Sequence, residues 1–453
     1  MQRMDMLHGS LGDKTLLFAV PLAFTGIIQQ LFNTLDTAIM GQFAGKEAMA
    51  AVGSTSPLVG FLTALFIGMA LGANVVISHF IGEGNKEGVE KGVYTSFFLS
   101  AVIGLFSAAA GEVILVPVLE ILAVPSEIMD MTVLYMRILL LSMPALLLYN
   151  MEAALYRSQG DTRTPLMALV VSGVVKLVLS LVLVIVFRMG TAGVALSTLA
   201  GSLLSAGILF FLLSETGKEM KLSLSSFSWD GRVLLEILRI GAPAGIQGAV
   251  FSLSNLVVQA AINSLGAEAM AASAAAFNVE CLAYYVINAF GQTATTFIGQ
   301  NFGAGNRERC RRTVKICFWQ DMAVTILMSG LLIYFVKPLM GLFTADSLVI
   351  EYGALRLTCI LLSEPLNVVM EIISGMLRGY GRSMGPAVIT LLSVCGSRLF
   401  YIYFIFSRSP DFLTLVLVYP LSWFITDIGL VLLAVLFYRE THFAGVSGKK
   451  RAV

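Results

Sequence analysis

Apolar residues in this chain gather into long, nearly charge-free runs, and short charged clusters separate those runs. A helix crosses a bilayer core with roughly 20 consecutive apolar residues. The pattern predicts such helices near 15–41, 54–81, 93–116, 132–156, 166–187 and 190–213. A second set is predicted near 237–262, 274–300, 314–337, 353–377, 386–407 and 414–438. Between the sets lies Glu215–Arg232, a polar, amphipathic stretch with Lys218, Lys221, Ser223, Ser225, Ser226 and Trp229. The expected division is a first lobe over 1–214, a linker over 215–236 and a second lobe over 237–453.

Composition narrows the class. Of 453 residues, 57% are hydrophobic and 13% charged, about half the charge content of a soluble domain. Twelve spans leave no room for a large extramembrane domain. The net charge of +1 points to no nucleic-acid partner. Cys281, Cys310, Cys317, Cys359 and Cys395 show no CxxC or zinc spacing and read as small apolar residues. The apolar run after Lys14 is too long for a cleavable signal, so none is expected. No P-loop, carboxylate pair or nucleophile–base signature appears, and no enzyme, metal or cofactor is expected.

Lysine and arginine set the expected orientation, because cytoplasmic loops carry their excess. Twenty-one of the 29 fall on one side, among them Arg3, Lys14, Lys86, Arg157, Arg307, Arg378 and Lys449–Arg451. Four (Lys46, Arg188, Lys337, Arg408) fall on the other, and Arg137, Lys176, Arg356 and Arg398 lie inside spans. Both termini are therefore expected in the cytoplasm.

The two sets of helices repeat one another. Gly45-Lys-Glu-Ala-Met-Ala-Ala51 returns as Gly266-Ala-Glu-Ala-Met-Ala-Ala272, and Gly82-Glu-Gly-Asn-Lys-Glu87 as Gly303-Ala-Gly-Asn-Arg-Glu308, both offset by 221. Pro117, Pro144, Arg157, Gly160 and Pro165 match Pro338, Pro365, Arg378, Gly381 and Pro386 at the same offset. Pro21 and Gly26 match Pro243 and Gly248 at 222. Six helices per copy give both copies the same orientation, an arrangement found in transporters that rock two bundles around a midplane site. Pro21 and Pro243 loosen the first helix of each copy and are candidate hinges, with a static kink as the alternative.

Ionisable residues inside spans are expensive and mark candidate sites. Gln29, Asn33 and Asp36 share one helix face at i, i+4, i+7. Asp36 suits proton or Na⁺ carriage; a structural ion pair is the alternative. Lys176 lies too deep to snorkel easily and needs an anion, with Asp36 the nearest candidate in its half. In the second half Glu364, Asn367 and Glu371 share a face, joined by Glu280, Arg398 and, more weakly, Asp427; structural pairing is the favoured reading there. His79 reads as an interfacial residue and not as a proton relay.

These residues resemble the multidrug and toxic compound extrusion (MATE) family of transporters. The resemblance runs from Pro21 to about Tyr438. It rests on Gln29-Gln-Leu-Phe-Asn-Thr-Leu-Asp-Thr-Ala-Ile-Met-Gly41, Gly45–Gly53, Leu155-Tyr-Arg-Ser-Gln-Gly-Asp-Thr-Arg-Thr-Pro165, Gly299-Gln-Asn-Phe-Gly-Ala-Gly305 and Leu377-Arg-Gly-Tyr380. It implies an all-α polytopic membrane protein, with twelve transmembrane helices in two pseudo-symmetric six-helix lobes forming a V. It also implies efflux of small organic, often cationic compounds in exchange for H⁺ or Na⁺, from a bacterial inner membrane. Asp36 stands at the family's essential first-helix aspartate, with Asn150 and Thr198 at its polar partners. The fifth-helix Asn and Asp of many members are Lys176 and Ser180 here, and the acidic positions of the second lobe fall near Phe251 and at Asn367. These departures argue against Na⁺ and for H⁺ as the coupling ion, or for an altered substrate charge. The expected partners are small organic substrates and membrane lipids, with a monomer as the expected state.

A flippase for a lipid-linked, phosphate-bearing intermediate is the alternative. It would need a strongly cationic cavity, for which Lys176, Arg137, Arg356 and Arg398 are the candidates.

Overall fold

The computed structural model describes residues 4–122, 124–216 and 229–446. Arg3, Lys218 to Ser226 and Lys449 to Arg451 lie outside the described residues. Among those described, twelve helices are long and apolar enough to cross a membrane. They are α1 Leu11–Ala44, α2 Glu47–Glu83, α3 Lys86–Ile121, α4 Ser126–Ser158, α5 Arg163–Val186 and α6 Gly190–Glu215. The second set is α7 Gly231–Asn263, α8 Ala267–Gly303, α9 Arg307–Tyr334, α10 Ser347–Gly379, α11 Met384–Arg408 and α12 Phe412–Glu440. Helix is the form that satisfies every backbone polar group within its own segment, as a bilayer requires. Large apolar side chains such as Val113, Phe106, Ile121, Leu141 and Leu362 stand outward where lipid would meet them, 65–83% exposed.

Helix number and order match the sequence reading, but the helices run past the apolar runs. Capping explains the extra turns. Asn85 accepts a hydrogen bond from the Gly88 amide at the start of α3, and Asn306 accepts one from the Arg309 amide at the start of α9. Asp411 caps α12; the Thr414 hydroxyl and amide hold its carboxyl below the usual carboxylate range. The stretch 231–236, read as linker, is already the first turn and a half of α7.

The repeat is conformational as well as sequential. Gly45 and Gly266 have φ of 93° and 103°, Gly84 and Gly305 of 68° and 73°, Gly160 and Gly381 of 88° and 77°. The three pairs of turns that only glycine adopts without strain are thus reproduced in both halves. Pro21 and Pro243 lie within continuous helix, so neither ends its span.

The halves meet through helices crossed between copies. α1 lies against α8 and α7 against α2, so each first helix packs on the second helix of the other half. The crossings leave no room for side chains. A Cβ on Gly68 would lie 2.1 Å from the Gly245 nitrogen, and one on Gly72 2.4 Å from the Ile237 carbonyl oxygen. Nearer the face where α1 begins and α12 ends, a Cβ on Gly82 would lie 2.0 Å from the Gln300 carbonyl oxygen and one on Gly303 2.2 Å from the His79 carbonyl oxygen. His79 and Gln300 are themselves repeat partners, so this contact straddles the pseudo-twofold axis.

Polar bridges seal that terminal face. His79 Nε2 donates to the Gly379 carbonyl at 2.8 Å, Gln300 Nε2 to the Ser158 carbonyl at 2.5 Å and Arg157 Nη1 to Gln292 Oε1 at 3.0 Å. The N-terminal strap adds to it. Arg309 donates to the carbonyls of Met6, His8 and Gly9, and Asn301 Nδ2 to that of Met6. Toward the opposite face the halves loosen: a Cβ on Gly60 would reach Ser252 Oγ only at 4.0 Å.

Gly72→Leu, which forces α2 off α7, is expected to lower stability by about 1–3 kcal/mol, as overpacking does. Thermal unfolding of the detergent-solubilised protein checks this. Gly207→Leu, where a Cβ meets nothing within 4 Å, is the control expected to leave the melting temperature unchanged.

Candidate functional site

In the first half the site is built on α1 and α5. Lys176 Nζ lies 2.5 Å from Asp36 Oδ2, and each side chain is 14% exposed. Two glycines fix this register. A Cβ on Gly173 would sit 1.9 Å from the Phe32 ring, so α5 can approach α1 closely about one turn from the pair. Gly201 of α6 lies under the aliphatic stem of Lys176; a Cβ there would sit 3.0 Å from the lysine Cβ, so the glycine gives the stem a groove to lie in. Just after Asp36 the helix widens into a π turn over Met40–Ala44, and the Met40 amide bonds both the Asp36 and Thr37 carbonyls. α5 widens likewise over Val182–Val186, after Ser180. Such wide turns recur at functional sites.

Of the other first-half candidates, none is hydrogen-bonded to Asp36. Asn150 Nδ2 donates to the Leu146 carbonyl and Thr198 Oγ1 to the Val194 carbonyl, each one turn back on its own helix. Ser180 is fully buried with its hydroxyl unpartnered, and Asn33 is exposed. The structure therefore unites two of the six residues, Asp36 and Lys176, by direct contact.

A cavity of about 370 Å³ lies between second-half helices α7, α8, α10, α11 and α12 and α2 of the first half, within the range for drug-sized ligands. Its charges sort into pairs and exceptions. Glu280 receives both Arg356 Nη2 at 2.6 Å and Nε at 3.3 Å. Glu371 pairs with Arg378 at 3.1 Å, one face of one helix. Glu364 has an amide as its partner: Asn367 Nδ2 donates to its Oε2 at 3.0 Å. Arg398 donates to Asn255, Ser254 and Ser422, and its guanidinium carbon lies 4.9 Å from the centre of the Tyr419 ring.

Arg137 does not belong to this cavity. It pairs with Glu112 at 2.7 Å, and both are about half exposed. Asp427 is buried with both carboxylate oxygens unpartnered.

Sequence reasoning passed over two buried acids. Glu152 on α4 is fully buried with neither oxygen hydrogen-bonded, and Asp321 on α9 is fully buried with only Oδ1 engaged, by Thr325. A single acidic letter inside an apolar run was the available signal in both cases. Among the described residues no three His, Cys, Asp or Glu converge as a metal site.

With this geometry in place, the likenesses to known proteins become specific. The MatE family model matches the chain twice, over residues 21–182 and 243–404, one match per structural half. The chain is 27% identical over 391 residues to the "Probable multidrug resistance protein NorM" of Thermotoga maritima, covering 84% of this chain and 82% of that one. It is 26% identical over 397 residues to the "FAD transporter" of Shewanella oneidensis, covering 86% and 87%. Its fold superposes with a TM-score of 0.87 on the outward-facing conformation of a multidrug resistance MATE family transporter, at 19% identity and covering 95% and 97% of the two chains. A double match of the family model, twelve spans in two repeated halves and multidrug resistance relatives agree: the chain belongs to the MatE family of multidrug efflux transporters.

Proposed function

We propose that the protein is a secondary antiporter that exports small organic molecules in exchange for protons, both termini lying in the cytoplasm. The observation that carries the coupling is the Lys176–Asp36 pair, 2.5 Å apart and largely withdrawn from solvent. A lysine ammonium occupies the place beside the first-helix carboxylate where a coupling cation would sit. A hard cation such as Na⁺ asks for several oxygen ligands, and the lysine leaves the aspartate few to offer. A proton needs one lone pair of Asp36.

Protonating Asp36 cancels half of the pair and leaves the ammonium buried without its anion, a situation that costs several kcal/mol. The first-half helices then relieve that cost by moving: α1 bends near Pro21, and the π turn beyond Asp36 supplies a weak point in its hydrogen-bond ladder. Because α1 packs on α8, a shift of α1 is felt directly by the other half and by the cavity. Alternating access follows as a rocking of the halves about the glycine crossings.

The flippase alternative finds less support. Three of its four candidate cations have carboxylate partners: Lys176 with Asp36, Arg356 with Glu280 and Arg137 with Glu112. The fourth, Arg398, lines the cavity with Arg378 but also with Glu280, Glu364 and Glu371, so phosphate-bearing cargo would not meet a strongly cationic wall.

Two outcomes test this reading. Dye export from proteoliposomes should persist in Na⁺-free buffer under an imposed pH gradient and stop in Asp36→Asn; strict Na⁺ dependence, or normal export by Asp36→Asn, contradicts it. Lys176→Met should destabilise the protein by about 3–5 kcal/mol, as loss of one member of a buried pair does. The double variant Lys176→Met with Asp36→Asn should recover most of that loss in thermal unfolding while still failing to export.

A further inference from the structure

The fifth span of each half carries a cation, and the two halves treat it differently. The two family matches lie 222 residues apart and set Lys176 against Arg398 and Asp36 against Val258; counted from Pro165 and Pro386, 221 apart, Arg398 stands one residue further on, beyond the π turn over Leu391–Cys395. Val258 is fully buried in an apolar cluster with Tyr401 and Leu430. The second-half cation has thus kept its place without its acid.

Arg398 is 2% exposed, and every partner it has among the described residues is neutral. Nε donates to Ser422 Oγ at 3.2 Å, and Nη1 to Asn255 Oδ1 at 2.7 Å and Ser254 Oγ at 3.4 Å. Nη2 makes no hydrogen bond, while the Tyr419 and Phe251 rings lie 4.9 and 6.0 Å from the guanidinium carbon. Glu364 is its mirror in charge. It is 2% exposed, its Oε2 is held by Asn367, and its Oε1 accepts nothing. Neither residue has an ion-pair partner, and both line the same cavity. Glu280 and Glu371, the other acids of that wall, are each committed to an arginine.

An unpaired buried charge is costly. Two of opposite sign facing one cavity without touching are neutralised together by a ligand that carries both signs. We propose that this cavity is a dipolar site for zwitterionic aromatic cargo, in which Arg398 takes the cargo's carboxylate or phosphate and Glu364 takes its cationic end. The spare Nη2 supplies a charge-assisted hydrogen bond to the anionic end, the spare Oε1 faces the cationic end as an ionic contact, and Tyr284, Tyr419 and Trp423 on the walls supply ring surface for a planar body. Neutral partners around Arg398 have a purpose in this arrangement: they orient the guanidinium without cancelling its charge. Cargo binding there presupposes the export reading above and adds the chemical class of the cargo.

The test uses two dyes that differ by one charge: rhodamine B, which carries a delocalised cation and a free carboxylate, and its ethyl ester, which carries the cation alone. Binding is read by fluorescence anisotropy on the full-length protein in lipid nanodiscs, with empty discs subtracted. The wild-type protein should bind rhodamine B about tenfold more tightly than the ester, the scale of one charge-assisted contact. Arg398→Gln should abolish the preference, weakening rhodamine B while the cationic ester, freed of a like charge in the cavity, binds no more weakly than before. Arg398→Lys should keep part of the preference, and Glu364→Gln should weaken both dyes alike. Equal or tighter binding of the ester by the wild-type protein overturns the site, and that comparison needs no variant to fold. An Arg398→Gln protein that weakens both dyes equally, or a wild-type protein that binds neither, overturns it too. Proteoliposome export separates the two readings: export of the ester without preference for the acid leaves the exporter standing and removes the dipolar site. Acid-selective binding without export of either dye does the reverse.

Discussion

An ammonium and a carboxylate buried in one membrane-spanning bundle cannot ignore each other, and the placement of three helices follows from that constraint. Lys176 reaches Asp36 at 2.5 Å because Gly173 lets α5 close on Phe32 of α1 and Gly201 lets the lysine stem lie on α6. Removing either glycine's advantage would separate the charges and strand both. Adding a proton to Asp36 breaks this pair, which is why stability and coupling meet at the same two side chains. In the second half the same need is met differently, by Arg356 on Glu280 and Arg378 on Glu371, with Glu364 and Arg398 left to neutral partners.

Close backbone approach does the rest of the assembly. Helices in a bilayer gain little from burying apolar surface against one another, so packing relies on small residues that let backbones meet. Gly68, Gly72, Gly241 and Gly245 make the α2–α7 crossing such a contact, and Gly82 with Gly303 repeat the device at the pseudo-twofold axis. These crossings lie toward the terminal face, where His79, Gln300, Arg157 and the Arg309-held N-terminal strap close the gap between halves. The cavity lies beyond this seal, framed by helices that are tied at one end.

How much of this was legible in the sequence depends on what sets each feature. Twelve spans and the repeat follow from the length of apolar runs and from one offset kept across six helices, and both are seen. Helix ends were read short because Asn85, Asn306 and Asp411 extend helices into polar sequence by capping. The need of Lys176 for an anion was readable from its depth, and its partner could be named because few acids of its half, Asp36 among them, lie inside spans. Asn150 and Thr198, which the resemblance gives as polar partners in the lobe of Asp36, each bond the carbonyl four residues back, a local option open to any such side chain in a helix. Pairing of Glu280 with Arg356 joins helices far apart in sequence, so no spacing announces it. Glu152 and Asp321 each show as one acidic letter with no periodic partner, and only burial gives them weight.

The central claim is that protonation of Asp36 releases Lys176 and thereby moves the halves. It is tested most directly by the distance between the outer ends of α2 and α8. Met49 and Met270, repeat partners that are 44% and 41% exposed, can carry spin labels as cysteines in a background lacking the five native thiols. Pulsed dipolar spectroscopy in nanodiscs should show the separation shift as pH is lowered, and Asp36→Asn should hold one distance at every pH. A pH-driven shift that persists unchanged in Asp36→Asn would place the switch elsewhere and contradict the account.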